Sequence, residues 1–178
     1  MRTTEISEAF LAQSRRLLIK SYLPRIEQAI EGLSDEQIWW RANADSNSIA
    51  NLVLHLSGNV RQWIISGLGA AGDDRNRQSE FETHETRTGQ ELSLLLRSTV
   101  EEADRVLAAV TPAMLLDGRR IQTYDVTVLQ AIYAGVEHFS MHTGQIIVLA
   151  KMWKGDLGFY ELSHGTPHPA WRGGKDGD

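Results

Sequence analysis

Residues 127–153 read TVLQAIYAGVEHFSMHTGQIIVLAKMW, and the fold follows from that stretch. Thr127-Val128-Leu129-Gln130 is a capping box, in which the threonine hydroxyl receives the amide of the fourth residue and the glutamine returns to the threonine amide. Apolar and small residues then recur without a proline until Gly155, a residue that can close a helix in the left-handed region at no steric cost. The pattern predicts one long helix reaching Trp153. Such a helix needs other helices to cover its apolar side.

Three further segments supply them. From about Thr4 to Glu31, residues Ile6, Phe10, Leu17, Leu18, Tyr22, Ile26, Ala29 and Ile30 recur at spacings of three, four and seven. Pro24 lies inside this run and predicts a kink or break near Tyr22–Leu23. Gly32 ends it, and Ser34-Asp35-Glu36-Gln37 opens a short turn of helix. The second long helix is capped by Asn47 or Ser48 and runs to Gly67, with Leu52, Leu56, Val60 and Trp63 as its stripe. The third opens with Thr88-Gly89-Gln90-Glu91 and continues through Leu92, Leu96, Val100 and Leu107 to the Pro112 break.

The connections read differently. Gly69 to Arg87 is rich in Gly, Asp, Asn and Arg and reads as a loop. Arg119 to Val126 alternates apolar and polar residues, as a short extended segment or hairpin strand does. Past Gly155 the chain carries Gly, Pro and closely spaced aromatics and is not helical by pattern. The expected fold is all-α: a four-helix bundle over residues 1–155, followed by an irregular C-terminal tail over 156–178.

Composition limits the chemistry. With 42% hydrophobic and 23% charged residues among 178, the chain suits one globular domain. Net charge is −5, and the basic residues fall in scattered pairs (Arg15–Arg16, Arg119–Arg120), so no nucleic-acid footprint is expected. There is no cysteine, which excludes disulfides, thiolate metal sites and a cysteine nucleophile. The N-terminus lacks a signal-peptide pattern and no apolar stretch is long enough to span a bilayer, so a cytoplasmic protein without membrane partners is expected.

The histidines carry the functional reading. His138 and His142 are four apart, so both project from one face of the last helix. That face continues through Ala131, Ala134, Gln145 and Leu149, which are mostly small or apolar, so it looks inward. His55 stands between Leu52 and Leu56 in the second helix, with Asn51 and Asn59 one turn either side. Three inward imidazoles from two helices make a three-nitrogen site for a divalent metal ion with one open coordination position, the pattern of a catalytic metal. The competing reading is that each is a satisfied core or surface histidine, since an isolated HxxxH arises by chance in many helices. There is no HExxH, and Glu137 points a quarter-turn away from His138, as a surface carboxylate would.

Around this set, Gln145 and Asn59 are candidates for orienting a ligand histidine or a bound molecule, against plain interhelical packing. Arg41 and Arg61 are candidates for anchoring an anionic group. His164 and His168 repeat the four-residue spacing in the tail, but Gly165 and Pro167 forbid a helix there; a lid or a fourth ligand is the role open to them.

The segments Ser48-Ile49-Ala50-Asn51-Leu52-Val53-Leu54-His55-Leu56 and Glu137-His138-Phe139-Ser140-Met141-His142-Thr143-Gly144-Gln145-Ile146 together resemble the DinB superfamily of YfiT-like metal-binding proteins, over nearly all the chain to Trp153. Asn47 to Trp63 with Gly158-Phe159-Tyr160 is most similar to a branch of that superfamily whose function is undescribed. The resemblance implies an up-down-down-up bundle, often a homodimer, holding zinc or nickel. One histidine would come from the second long helix and two from the last: here His55, His138 and His142. It further implies a small-molecule substrate and a low-molecular-weight thiol of the bacillithiol, mycothiol or glutathione type, in a thiol S-transferase. The alternatives are a metal-dependent hydrolase or a non-catalytic, metal-binding, stress-related dimer.

Overall fold

Three of the long helices begin where a hydroxyl side chain can hold their first free amides. Ser48, Thr88 and Thr127 all form complete capping boxes, with Asn51, Glu91 and Gln130 returning to the cap amide. In the computed structural model, residues 2–69, 71–84 and 86–171 are described; Met1, Ala70, Glu85 and the last seven residues of the tail lie outside them. The helices are α1 (Arg2–Arg16), α2 (Leu23–Ile30), α3 (Asp35–Trp39), α4 (Ile49–Val60), α5 (Arg77–Glu82), α6 (Gly89–Ala109) and α7 (Val128–Lys154). The strands are β1 (Gly118–Ile121), β2 (Tyr124–Thr127), β3 (Tyr160–Ser163) and β4 (Thr166–Pro169). The chain is mostly helical, with two small antiparallel hairpins.

Pro24 does not break the first helix. It occupies the first turn of α2, where its missing N–H is tolerated, and the irregularity moves upstream into a π-helical turn at Leu17–Tyr22 that joins α1 to α2. A second π-helical turn, Arg61–Ser66, extends α4. The core lies where α4 packs against α6 and α7, and α2 against both. Ile26, Leu52, Leu56, Val60, Leu96, Val100, Ile132, Phe139 and Ile146 are fully buried there. On α7, the residues facing that core are Ile132, Phe139, Ile146 and Ala150. Of the histidine face, Ala131 and His142 are buried, Ala134, His138 and Leu149 are half-buried and Gln145 is exposed, so that face turns from the core to its margin. No helix among the described residues is long and apolar enough to cross a membrane.

Two sequence expectations need correction. The segment 69–87 is not simply a loop, because Asn76 caps the short helix α5, whose Glu80 is buried. Periodicity could not reveal it: six residues cannot hold a helix alone, and its support comes from contact with α4. The described part of the tail is not irregular either, since β3 and β4 pair from Tyr160↔Pro169 to Ser163↔Thr166. His164 and Gly165 turn that hairpin, both at positive φ (51° and 79°), as a two-residue primed turn requires. His168 sits in β4 opposite Glu161. The hairpin docks on the first helical run through Trp171, whose ring lies under Arg25 at 4.7 Å and against Tyr160 at 5.7 Å. The alternation at 119–126 is realised as the β1–β2 hairpin.

Candidate metal centre

Asn51 sets the site in place. Its Oδ1 accepts from Ser48 and from Arg41 Nη2, while its Nδ2 donates to the carbonyls of Glu80 (2.9 Å) and Thr83 (3.2 Å). A cap residue at the start of α4 therefore also pins α5 alongside it. One turn further along α4 stands His55, 4% exposed, and Glu80 is brought against its outer edge. The contact is His55 Nδ1 to Glu80 Oε2 at 2.8 Å. A carboxylate only accepts, so Nδ1 carries the hydrogen and the lone pair of Nε2 faces the other way.

Glu80 is itself held. Arg75 donates from Nε to Oε1 at 2.7 Å and from Nη2 to Oε2 at 2.9 Å, a two-pronged pair with both side chains under 10% exposed. Gln62 accepts from Arg75 Nη1 at 2.9 Å and donates to Asp73 Oδ2 at 2.7 Å. Gly58 leaves room for this pair, since a Cβ there would stand 2.0 Å from Glu80 Oε1. Burial pushes the Glu80 carboxyl up, but the hydrogen bonds and charges of Arg75 and His55 together hold it below its ordinary value.

His138 and His142 arrive from α7. Nε2 of His138 is 2.9 Å from Nε2 of His55, and the ring centroids of the two α7 histidines are 4.4 Å apart. Gln145 Oε1 lies 2.6 Å from Nδ1 of His142, so that ring too has its outer nitrogen occupied and its Nε2 free. Ligand atoms of the three histidines all lie within 4.8 Å of one another, and the group contains no fourth residue among those described. Burial first, then the charges of His142, His55, Arg75 and Arg77, lowers His138 to about 4. His142 is also lowered, by burial chiefly. Neutral imidazoles are what a metal requires. Tetrahedral zinc at 2.0–2.1 Å sets its nitrogens about 3.3 Å apart, close to the 2.9 Å contact, so the donor set fits a small divalent cation.

One side of the site is open. A cleft of about 540 Å³ is lined by Asn59, Trp63, Ala134, Glu137, His138 and Met141. Asn59 is 8% exposed and its Oδ1 has no hydrogen-bond partner. Glu137 is exposed on the rim. Arg41 is bonded to Asn51 and the Phe81 carbonyl, and Arg61 pairs with Glu102 at 2.6 Å. His164 and His168 are not in the histidine group.

Glu80 and Arg75 are the functional residues that the sequence reading missed. The available signal was Asn76-Arg77-Gln78-Ser79, a cap pattern inside a polar stretch. No curated protein matches the chain. The family model described as a protein of unknown function, DUF1572, matches residues 5–163, and the chain belongs to that family.

Proposed function

We propose that the protein is a metal-dependent enzyme of the DinB-like superfamily, with zinc or nickel held by His55, His138 and His142 and a low-molecular-weight thiol as co-substrate in an S-transfer reaction. The observation that carries it is the convergence of three ring nitrogens from α4 and α7, beside a cleft, with no fourth protein ligand in the described group. Bound there, the ion would act as a Lewis acid and lower the pKa of a thiol reaching it. The protein's own residues prepare the position. Glu80 fixes the tautomer and orientation of His55, Gln145 does the same for His142, and burial keeps His138 neutral. An up-down-down-up arrangement and a homodimer belong to the same proposal. Val148 and Met152, large, apolar, exposed and one turn apart on α7, support a second copy as partner.

The test begins with elemental analysis of the purified protein, followed by thiol conjugation with and without a chelator. His142→Ala is expected to leave the helical content unchanged and to lower metal content several-fold. Equal metal occupancy in that variant would contradict the site. Conjugation unaffected by chelator would contradict the enzyme reading while leaving the site intact.

A further inference from the structure

The cleft beside His138 has a chemical preference of its own. Along α4 and the π-helical turn that extends it, His55, Asn59 and Trp63 succeed one another at four-residue spacing, the first step an axial rise of about 6 Å. Along α7, His138 faces them with Ala134 and Met141, and Glu137 stands on the rim. The cleft thus runs outward from the histidines, past an amide, to an indole. Its apolar walls are Trp63, Ala134 and Met141.

Its polar walls are unfinished. Asn59 Oδ1 is buried with no hydrogen-bond partner, and a buried orphan acceptor costs about 1–3 kcal/mol unless something donates to it. No ion pair engages Glu137 among the described residues; Arg61 and Arg75 are committed to Glu102 and Glu80, and Arg77, whose charge reaches His138, lies over the Phe81 ring. Both Asn59 Oδ1 and the Glu137 carboxylate accept hydrogen bonds. A ligand carboxylate or phosphate would meet two acceptors and a like charge there, whereas an ammonium would satisfy both and balance the charge.

We propose that this cleft binds a small amine-bearing ligand, its N–H groups received by Asn59 and Glu137 and its apolar body lying on Trp63 and Met141. The inference rests on the metal-and-thiol reading for the inner end of the ligand and adds the chemistry of its outer end. Amine-bearing thiols are the class that meets both ends.

Cobalt-loaded protein provides a direct readout, because a thiolate reaching the ion gives a charge-transfer band whose titration yields a Kd. The probes are 2-aminoethanethiol, 2-mercaptoethanol and 3-mercaptopropionate. Each is compared with itself across variants, which cancels its intrinsic thiol acidity. Glu137→Gln, an exposed substitution, is expected to weaken 2-aminoethanethiol about threefold to fivefold, to leave 2-mercaptoethanol unchanged and to tighten 3-mercaptopropionate. Asn59→Leu is expected to weaken 2-aminoethanethiol about tenfold, again with little effect on 2-mercaptoethanol. If all three thiols respond alike to both variants, the amine preference is wrong and the thiol reading survives. If none of them produces a band on protein that holds cobalt, the thiol reading fails and the amine preference falls with it.

Discussion

The two sides of the histidine cluster are built on opposite rules. Behind His55, every polar group around the ring's outer nitrogen is matched: Glu80 takes the hydrogen, Arg75 grips both carboxylate oxygens, and Gln62 and Asp73 hold the guanidinium and its loop. In front of His138, the cleft exposes a carboxylate and buries an unpartnered amide oxygen. A folded chain does not leave an acceptor unpaired by default, because pairing it is worth about 1 kcal/mol or more. The contrast separates a side built for holding a ring still from a side built for receiving something.

The sharpest way to break that contrast is to remove one carboxylate from each side. Glu80→Ala leaves Arg75, with a side chain only 5% exposed, as an uncompensated buried charge, and loss of one partner of such a pair costs about 3–5 kcal/mol. For a chain of this length that corresponds to a fall in melting temperature of roughly 10 °C. Glu137→Ala, at an exposed position, is expected to stay within about 0.5 kcal/mol of the parent. Calorimetry on the two metal-free variants checks this, and comparable losses in both would erase the distinction. Metal titration of Glu80→Gln refines it. That change keeps the shape but replaces the charge, and an affinity loss of about 10–100-fold is the usual consequence of disturbing a histidine's outer partner.

How much of this was legible in the sequence depended on which physical signal carried it. Ser48, Thr88 and Thr127 each sit three residues before an amide or carboxylate side chain, so the helix starts could be read locally. His138 and His142 share a face because four residues make one turn, and their convergence with His55 followed once α4 and α7 were both taken as buried helices. Glu80 carries no such signal. Its helix is six residues long, its sequence is polar, and what places it is Asn51, whose amide reaches across 29 residues. The same holds for His164, which is set by the backbone conformation of a primed turn, and turn chemistry at His-Gly was hidden by the more conspicuous four-residue spacing to His168. Long-range hydrogen bonds and φ values are tertiary facts, and periodicity does not report them.

Acid titration distinguishes the same two sides by a smaller effect. In the metal-free protein His138 titrates at about 4, below the ordinary 6.5, so between those values the unfolded chain takes up a proton that the folded chain refuses. Stability is therefore lost as pH falls from about 6.5 towards 4, and the slope vanishes once both states are protonated. His142 is shifted in the same direction and adds to it. Glu80, also lowered, contributes stability present above its ordinary 4.5 and lost only as pH falls through its folded value, so the upper part of the window belongs to the histidines. Urea titrations at a series of pH values should show a shallow slope above 4.5 that His138→Gln reduces. With metal bound the slope should steepen, because protons then compete with the ion for the same nitrogens. A pH-independent midpoint across this window would mean that His138 is hydrated in the folded chain.

The smallest expected effect has the opposite sign from the others. Asn59→Leu replaces an amide by an apolar group of similar shape, in a place where the amide oxygen finds no donor. At an ordinary buried asparagine this substitution destabilises, because the partner groups lose their hydrogen bonds. Here there are no partners to lose, the desolvation cost of the oxygen disappears, and the surrounding walls include Trp63, Ala134 and Met141. Stability should therefore rise by about 1 kcal/mol, or a few degrees in melting temperature, in the same variant that binds amine-bearing thiols more weakly. A substitution that strengthens the fold while weakening a ligand is the mark of a residue retained for binding. If Asn59→Leu instead lowers the melting temperature by several degrees, its oxygen already has a partner within the folded chain, and the open side of the site is as fully matched as the closed one.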